Sequence, residues 1–277
     1  MLLTDPWGPV PNPGSIETPI WVLGADSFTD AWCTPVHQHQ KGQLVYTARG
    51  VSTCQTEDEA WIVPMQCAVW IPAGVPHRNA GNGNVELYYL YLDSNCTTAL
   101  PKTPCAISVS ALLQELLRRA VRLPDVYNAG GPEERLANVV LDELARAPIE
   151  QLRLPMPRDT RLRRIAERLI DEPSDKATAE EWAARVGLSE RTLGRLLQQE
   201  TGMGFGSWRR QMRVLVGLRL LEAGETIQTI APRLGYDSAS SFSTTFRKTL
   251  GKPPARYLSD RHITLGSIGK SGLARLR

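Results

Sequence analysis

The sequence lacks what a secreted, disulfide-built or membrane-embedded protein would need. It holds five cysteines (Cys33, Cys54, Cys67, Cys96, Cys105) in 277 residues. The number is odd and no C-x-x-C pair occurs, which argues against both a disulfide framework and a zinc ribbon. Buried thiols are the expectation, with redox sensing the lesser alternative. No apolar run approaches the length that crosses a bilayer, so no membrane association is expected. The opening stretch MLLTDPWGPVPNPG has no basic region followed by a continuous apolar one, so a cytoplasmic protein is expected rather than an exported one. Histidine is scarce too. The chain has four, and three of them fall between positions 37 and 77.

What is present is an uneven distribution of charge. The overall balance is only +3, but residues 1–150 carry 9 basic against 16 acidic side chains (−7), while residues 151–277 carry 23 against 13 (+10). The length suits two domains, and the sign change falls at the proline-bearing stretch PIEQLRLPMPRD. The expected division is an acidic domain over 1–150, a linker over 151–160, a helical domain over 161–260 and a basic tail over 261–277. A basic domain tied to an acidic one suggests a polyanionic partner for the basic part alone. A solvated, arginine-rich helical surface is the plainer alternative.

The basic half contains an internal repeat with a spacing of about 48 residues. In the first copy Thr178 is followed by Trp182-Ala183, Val186-Gly187, Ser189, Leu193, Leu197 and Thr201-Gly202. In the second, Thr226 is followed by Ile230-Ala231, Leu234-Gly235, Ser238, Phe242, Phe246 and Leu250-Gly251. Each copy reads as a capped short helix, a glycine turn and a second helix capped by serine. Thr178 with Glu181 has the spacing of a capping box. Two short helices around a tight turn make a helix-turn-helix, whose second helix can enter a major groove of double-stranded DNA. Between the copies, GFGSWRRQMRVLVGLRLLEAG reads as one long helix, with Trp208, Met212, Leu215, Leu218 and Leu221 near helical period. It would hold the two units roughly 34 Å apart, about one turn of DNA. RLRRIAERLIDEPSD supplies a packing helix ahead of them and PPARYL a closing one.

The stretch LGYDSASSFSTTFRKTLGKPPARYL, residues 234–258, resembles the signature of AraC/XylS-type transcription regulators, and residues 160–260 fit their double helix-turn-helix domain. The resemblance implies base-facing roles for Arg191, Thr192 and Arg195 in the first recognition helix, with Ser189 at its head, and for Ser240, Ser241 and Thr244 in the second. Arginine suits bidentate contact with guanine, whereas serine and threonine discriminate less and also bond phosphate. The first unit is therefore expected to carry most of the discrimination, and Arg247 and Lys248 to meet phosphate or solvent. There are two departures from the pattern. Gly194 stands where the family often has a longer polar side chain, and Pro232 lies inside the first helix of the second unit, which is expected to be short or kinked.

The acidic half shows strand-like runs (QLVYTAR, VSTCQTE, AWIVP, AVWIP, VELYYLYL) broken by glycine, proline and asparagine, the pattern of a sandwich or barrel. His37 and His39 are two apart, so in a strand they share a face, and Gln43 has the same parity. These segments resemble the two cupin motifs, through His37, His39, Gln43 and Gly50 and then Pro72, Gly74 and His77. The fold expected is therefore α+β, with an N-terminal cupin-like β-barrel flanked by helices and a C-terminal all-α double helix-turn-helix. The resemblance implies a pocket for a small molecule or one divalent metal. Gln43 replaces a metal-binding glutamate, which removes a charge and disfavours hard ions while still suiting zinc, nickel, copper or iron. The alternative is that the histidines are pocket polar groups without metal. The helical stretches VSALLQELLRRAVRL and PEERLANVVLDELARA, with Leu112, Leu113, Leu116, Leu117, Val121 and Leu136, Val139, Val140, Leu144 as apolar positions, either cover the barrel or, as the family resemblance implies, form a homodimer contact.

The leading functional expectation is an effector-responsive, sequence-specific DNA-binding regulator, with RNA polymerase open as a further partner. A metal-dependent cupin enzyme fused to a DNA-binding domain is the rival. It would need a metal with open coordination positions and a base near the substrate, and the sequence offers no acid close to His37, His39 or His77 except remote candidates such as Glu86. A nonspecific nucleic-acid binder is the third reading, which the elaborate acidic half disfavours.

Overall fold

The computed structural model describes residues 13, 16, 18–27, 32–63, 67–81, 85–150 and 152–259; the expected basic tail lies outside them. None of the helices in these residues is long and apolar enough to cross a membrane. The chain forms two compact units, one from the residues up to Cys54 together with Val63–Gln151, the other from Gln55–Ile62 together with Leu152–Leu258. Strands and helices together give an α+β protein with a β-sandwich-like N-terminal part and a helical C-terminal part.

The strands are β1 (Ile20–Ser27), β2 (Trp32–Cys33), β3 (Gly42–Arg49), β4 (Ser52–Thr56), β5 (Glu59–Val63), β6 (Cys67–Ile71), β7 (His77–Gly81), β8 (Val85–Leu92), β9 (Cys105–Ser108), β10 (Ile149–Glu150) and β11 (Arg153–Pro155). They form a six-stranded sheet in the order β1-β8-β3-β6-β9-β10 and a five-stranded sheet in the order β11-β5-β4-β7-β2. The strand-like runs of the sequence correspond to β3, β4, β5, β6 and β8. β7, sequence HRNAG, has almost no β-branched or aromatic content and carries no strand signal of its own.

Alternation decides the faces of the six-stranded sheet. Its even-numbered residues (Ile20, Val22, Leu44, Tyr46, Ala68, Trp70, Leu90, Leu92) pack in one apolar cluster with α1 (Ala111–Ala120) and α2 (Pro132–Arg146). Its odd-numbered residues Gln43, Val45, Thr47, Val69, Ile71, Tyr89 and Tyr91 are buried on the other face. Ser110 caps α1 by accepting from the Leu113 amide, and Pro132 starts α2 at a position where its missing N–H costs nothing. Leu113 and Leu117 of α1 and Val140 and Leu144 of α2 are buried as the period predicts, each stabilising by about 1.5–3 kcal/mol. Leu112 and Val139 are instead 56% and 44% exposed. Gln114 is buried beside Leu113, because the covered stripe of α1 is centred one position further along than the leucines suggest.

The second unit contains α3 (Thr160–Asp171), α4 (Ala179–Arg185), α5 (Glu190–Thr201), α6 (Phe205–Glu222), α7 (Ile227–Arg233) and α8 (Ala239–Leu250), followed by a short helix over 254–259. The residues 55–62 are tied to the head of this helical region: β11 pairs antiparallel with β5, the Met156 amide donates to the Asp58 carbonyl, and Arg158 grips the Asp58 carboxylate with two donors. Within α6, Trp208, Met212, Val214, Leu215, Leu218 and Leu221 are all buried. A central helix buried on several sides needs no strong amphipathic stripe. Gly217 lets α8 approach it, since a Cβ there would stand 2.7 Å from the Phe242 ring.

Candidate functional site

Two sets of residues carry candidate chemistry, one in each unit. In the helical unit the repeat folds as two copies of one design. Thr178 and Thr226 cap α4 and α7, and the first forms the full capping box with Glu181. Gly187 and Gly235 make the turns at φ of +71° and +74°, a conformation that side chains with a Cβ resist. Ser189 and Ser238 cap α5 and α8 by accepting from the amides of Thr192 and Ser241. Left-handed Gly202 and Gly251 close those helices. Pro232 lies in the last turn of α7, but α7 has the same seven residues as α4, so the proline does not set its length.

On the two second helices the apolar residues Leu193, Leu197, Phe242 and Phe246 point into the core. Arg191 and Arg195 on α5, and Ser240, Ser241 and Thr244 on α8, are exposed. Thr192 is half-buried, and its hydroxyl lies 2.8 Å from that of Ser189, so both side chains are partly committed to the cap. Arg195 reaches Gln199 one turn on. A Cβ at Gly194 would meet nothing within 4 Å, so the absent side chain leaves open space. Arg213 on α6 was not singled out by the sequence pattern. Its guanidinium donates to the carbonyls of Pro173 and Asp175, each at 2.8 Å, and lies against Gly235 and the Tyr236 ring. It thereby fastens the entry to the first repeat copy onto the turn of the second.

In the first unit, His37, His39 and His77 come together, with one ligand nitrogen from each ring within 4.8 Å of the others. The segment bearing His37 and His39 is not a regular strand. His37 forms a single antiparallel bridge with His77, through two backbone hydrogen bonds of 2.9 Å, and the ring centroids lie 4.5 Å apart. Each imidazole places Nδ1 on a backbone carbonyl: His37 on Pro35 at 2.9 Å, His39 on Lys41 at 2.6 Å and His77 on Val75 at 2.8 Å. A carbonyl only accepts, so each neutral ring carries its proton on Nδ1 and leaves the Nε2 lone pair free. His77 Nε2 lies 2.7 Å from Gln43 Oε1, and His39 Nε2 is buried without a hydrogen-bond partner. Burial, reinforced by the neighbouring rings, pushes the His77 pKa down to about 4 and lowers that of His39, against the opposing effect of their carbonyl partners and, at His39, of the Gln43 side chain. Gln43 itself donates to the Tyr91 hydroxyl at 3.0 Å.

A separate concavity of about 320 Å³ lies on the helix-covered face of the six-stranded sheet, lined by Leu44, Trp70, Leu100, Ile107, Leu144 and Ile149 among others. Leu44 and Trp70 are directly paired across β3 and β6, as are Gln43 and Ile71. Strand alternation therefore puts this apolar space and the Gln43 side of the histidine cluster on opposite faces of the same two strands.

Comparison with known proteins bears on both parts. Residues 25–191 match the profile of the AraC-like ligand binding domain, and residues 182–260 match a helix-turn-helix domain. The chain is 39% identical over 231 residues to the HTH-type transcriptional regulator NimR of Escherichia coli K12, covering 83% of this chain and 84% of that protein. It is 34% identical over 115 residues to the HTH-type transcriptional regulator RipA of Corynebacterium glutamicum, covering 42% of this chain and 34% of RipA. A crystal structure of ToxT from Vibrio cholerae aligns with 87% of this chain and 98% of its own at 11% identity and a TM-score of 0.38, too low to support any argument. The relatives are regulators, so the enzyme alternative gives way, and the chain belongs to the AraC family of helix-turn-helix transcriptional regulators with an AraC-like ligand-binding domain.

Proposed function

We propose that this regulator reads a specific DNA sequence with α5 and α8 in adjacent stretches of major groove, and that binding at the histidine cluster adjusts this activity. The observation that carries the reading is a pair of capped helix-turn-helix units with polar, exposed second-helix faces, in the same chain as three imidazoles whose free nitrogens converge. Arg191 and Arg195 supply the guanine-reading contacts. Thr192, Ser240, Ser241 and Thr244 add less selective ones, with Ser189 at the phosphate-facing start of α5. The domain division follows the charge change near residue 150, with residues 1–150 sensing and 161–260 binding DNA. Exposed Leu112 and Val139 suit a homodimer contact, which would double the half-sites read. RNA polymerase is the partner through which such a regulator would act.

The histidine cluster fits a divalent transition metal. Nδ1 of every ring is engaged, one nitrogen of each ring lies within 4.8 Å of the others, and the His39 Nε2 atom is buried with no hydrogen bond. His37, His39 and His77 would hold the ion, with Gln43 Oε1 as a neutral fourth donor. That donor set suits zinc, nickel, copper or iron better than magnesium or calcium. The ion would supply a fixed positive charge and an attachment point for an effector. Two measurements test the proposal. A gel shift at physiological salt should show preference for the gene's own upstream DNA over random competitor; equal binding to both would remove the sequence-specific reading. Elemental analysis of the purified protein should find near-stoichiometric metal that is absent from His77→Ala, whereas metal-free protein that takes none up on titration would leave the histidines as polar groups of an organic effector's pocket.

A further inference from the structure

Register places three side chains in one row across the six-stranded sheet. Trp21 on β1 is paired with Tyr91 on β8, and Tyr91 is paired with Gln43 on β3. Paired residues point to the same face, so the side chains are neighbours. Trp21 stacks on Tyr91 with ring centroids 5.2 Å apart, Tyr91 lies edge-on to His39 at 5.1 Å, and the Gln43 amide bridges the Tyr91 hydroxyl and His77 Nε2. At its outer end the row is anchored by the Trp21 indole N–H, which donates to Asp125 at 3.0 Å.

The amide end of this row has a donor–acceptor conflict. Val75 accepts the Nδ1 proton of His77, so Nε2 of the neutral ring is a lone pair, and it faces the lone pairs of Gln43 Oε1 at 2.7 Å. Two arrangements remove the conflict. In one, a cation lies among the Nε2 atoms and Oε1, and the amide N–H₂ donates to the Tyr91 oxygen. In the other, the amide is turned over, N–H₂ donates to His77 Nε2, and the Tyr91 O–H donates to Oε1. Both satisfy every buried polar atom of the Gln43 side chain, and they differ in whether Tyr91 donates or accepts.

We infer that Gln43 is a two-position amide that reports occupancy of the histidine cluster to Tyr91 and the Trp21 ring stacked on it. This rests on the reading of the cluster as a metal site. The role requires glutamine: a carboxylate at position 43 would only accept, so Tyr91 would donate to it whether or not a cation were present. The glutamine keeps a weaker neutral donor and gains a reversible one.

Zinc is a suitable probe, since it is redox-silent and does not quench indole fluorescence by itself. The full chain is titrated with Zn²⁺, with binding read by competition against a chromophoric chelator and the response read as tryptophan fluorescence. The wild-type protein should bind one Zn²⁺ with an emission change that Trp21→Phe removes. Gln43→Glu should bind zinc more tightly and lose the Trp21-dependent change. Tyr91→Phe should weaken zinc binding by roughly tenfold, the size expected for an outer partner of a ligand, and also lose the change. Both substitutions are nearly isosteric, and matching thermal melts will show that they fold. Absence of zinc binding in the wild-type protein would overturn the metal reading and this inference together. Zinc binding without a Trp21 signal, or a full signal retained in Gln43→Glu or Tyr91→Phe, would overturn the amide switch and leave the metal site standing.

Discussion

The two helix-turn-helix copies share their caps, their turn glycines and their helix lengths, and differ in both their core and their exposed faces. The first is filled by Leu193 and Leu197 and shows arginines outward. The second is filled by Phe242 and Phe246, which join Tyr236 and Tyr257 in a chain of edge-to-face rings, and shows serine and threonine outward. Caps and glycines are dictated by backbone geometry and so recur. Exposed side chains are not, so one scaffold presents an arginine-bearing face in the first copy and a hydroxyl-bearing face in the second.

The largest effect that would sharpen this comparison is in the core. Phe242→Ala should cost about 3–5 kcal/mol in urea unfolding, toward the upper end because the ring fills the space left at Gly217. A loss well below that of Leu193→Ala would mean the aromatic chain is not what holds the second copy. Next in size is base readout. Arg191→Ala and Arg195→Ala should each relax discrimination by about 1–3 kcal/mol at one base pair, measured with a panel of operator variants. Ser241→Ala and Thr244→Ala should change it by less than about 1 kcal/mol. Uniform weakening on every sequence by the arginine variants would assign them to phosphate instead.

A third test uses the turns. Alanine at a left-handed position costs about 1–2 kcal/mol, and Gly187→Ala should show that alone, because nothing lies within 4 Å of the added Cβ. Gly235→Ala should lose more, since its Cβ would stand 2.9 Å from Arg213 Nη2 and 3.1 Å from the Ser174 carbonyl. Equal melting shifts would show that Arg213 yields freely. The smallest effect concerns the helix ahead of both copies. Asp159 caps α3, and its bond from the Arg161 side chain, helped by backbone amides, holds its pKa at about 2. A depressed carboxylate pKa contributes stability above the unfolded value of 3.8 that is lost as pH falls through 2. Asp159→Asn should therefore flatten the melting temperature between pH 4 and pH 2; an unchanged acid slope would place the loss elsewhere.

Legibility differed between the halves for physical reasons. The helical half was readable because its signals are local: Thr178 with Glu181, or Ser189 before its helix, act within one turn. Arg213 was not, because its partners Pro173 and Asp175 lie some 40 residues away. In the sandwich, QLVYTAR and VELYYLYL were recognisable as the strands β3 and β8, but β7 carries His77 and has no strand signal, since its pairing comes from neighbours rather than its own side chains. The exposed Leu112 and buried Gln114 show the same limit in a helix, where period gives a stripe but not which edge is covered.

The sequence by itself determined that there are two kinds of domain, that the basic one repeats a capped helix-turn-helix, and that three histidines and a glutamine are candidates for one site. Local hydrogen bonding and periodicity suffice for the first two conclusions; the grouping of His77 with His37, His39 and Gln43 rests on the resemblance to the cupin motifs. The tertiary structure alone decided that His37 and His39 meet His77 without lying in a regular strand, that all three rings spend Nδ1 on backbone carbonyls, and that Gln43 stands between His77 and Tyr91. Those facts depend on register between strands distant in sequence, and register is fixed only when the sheets close over a shared core.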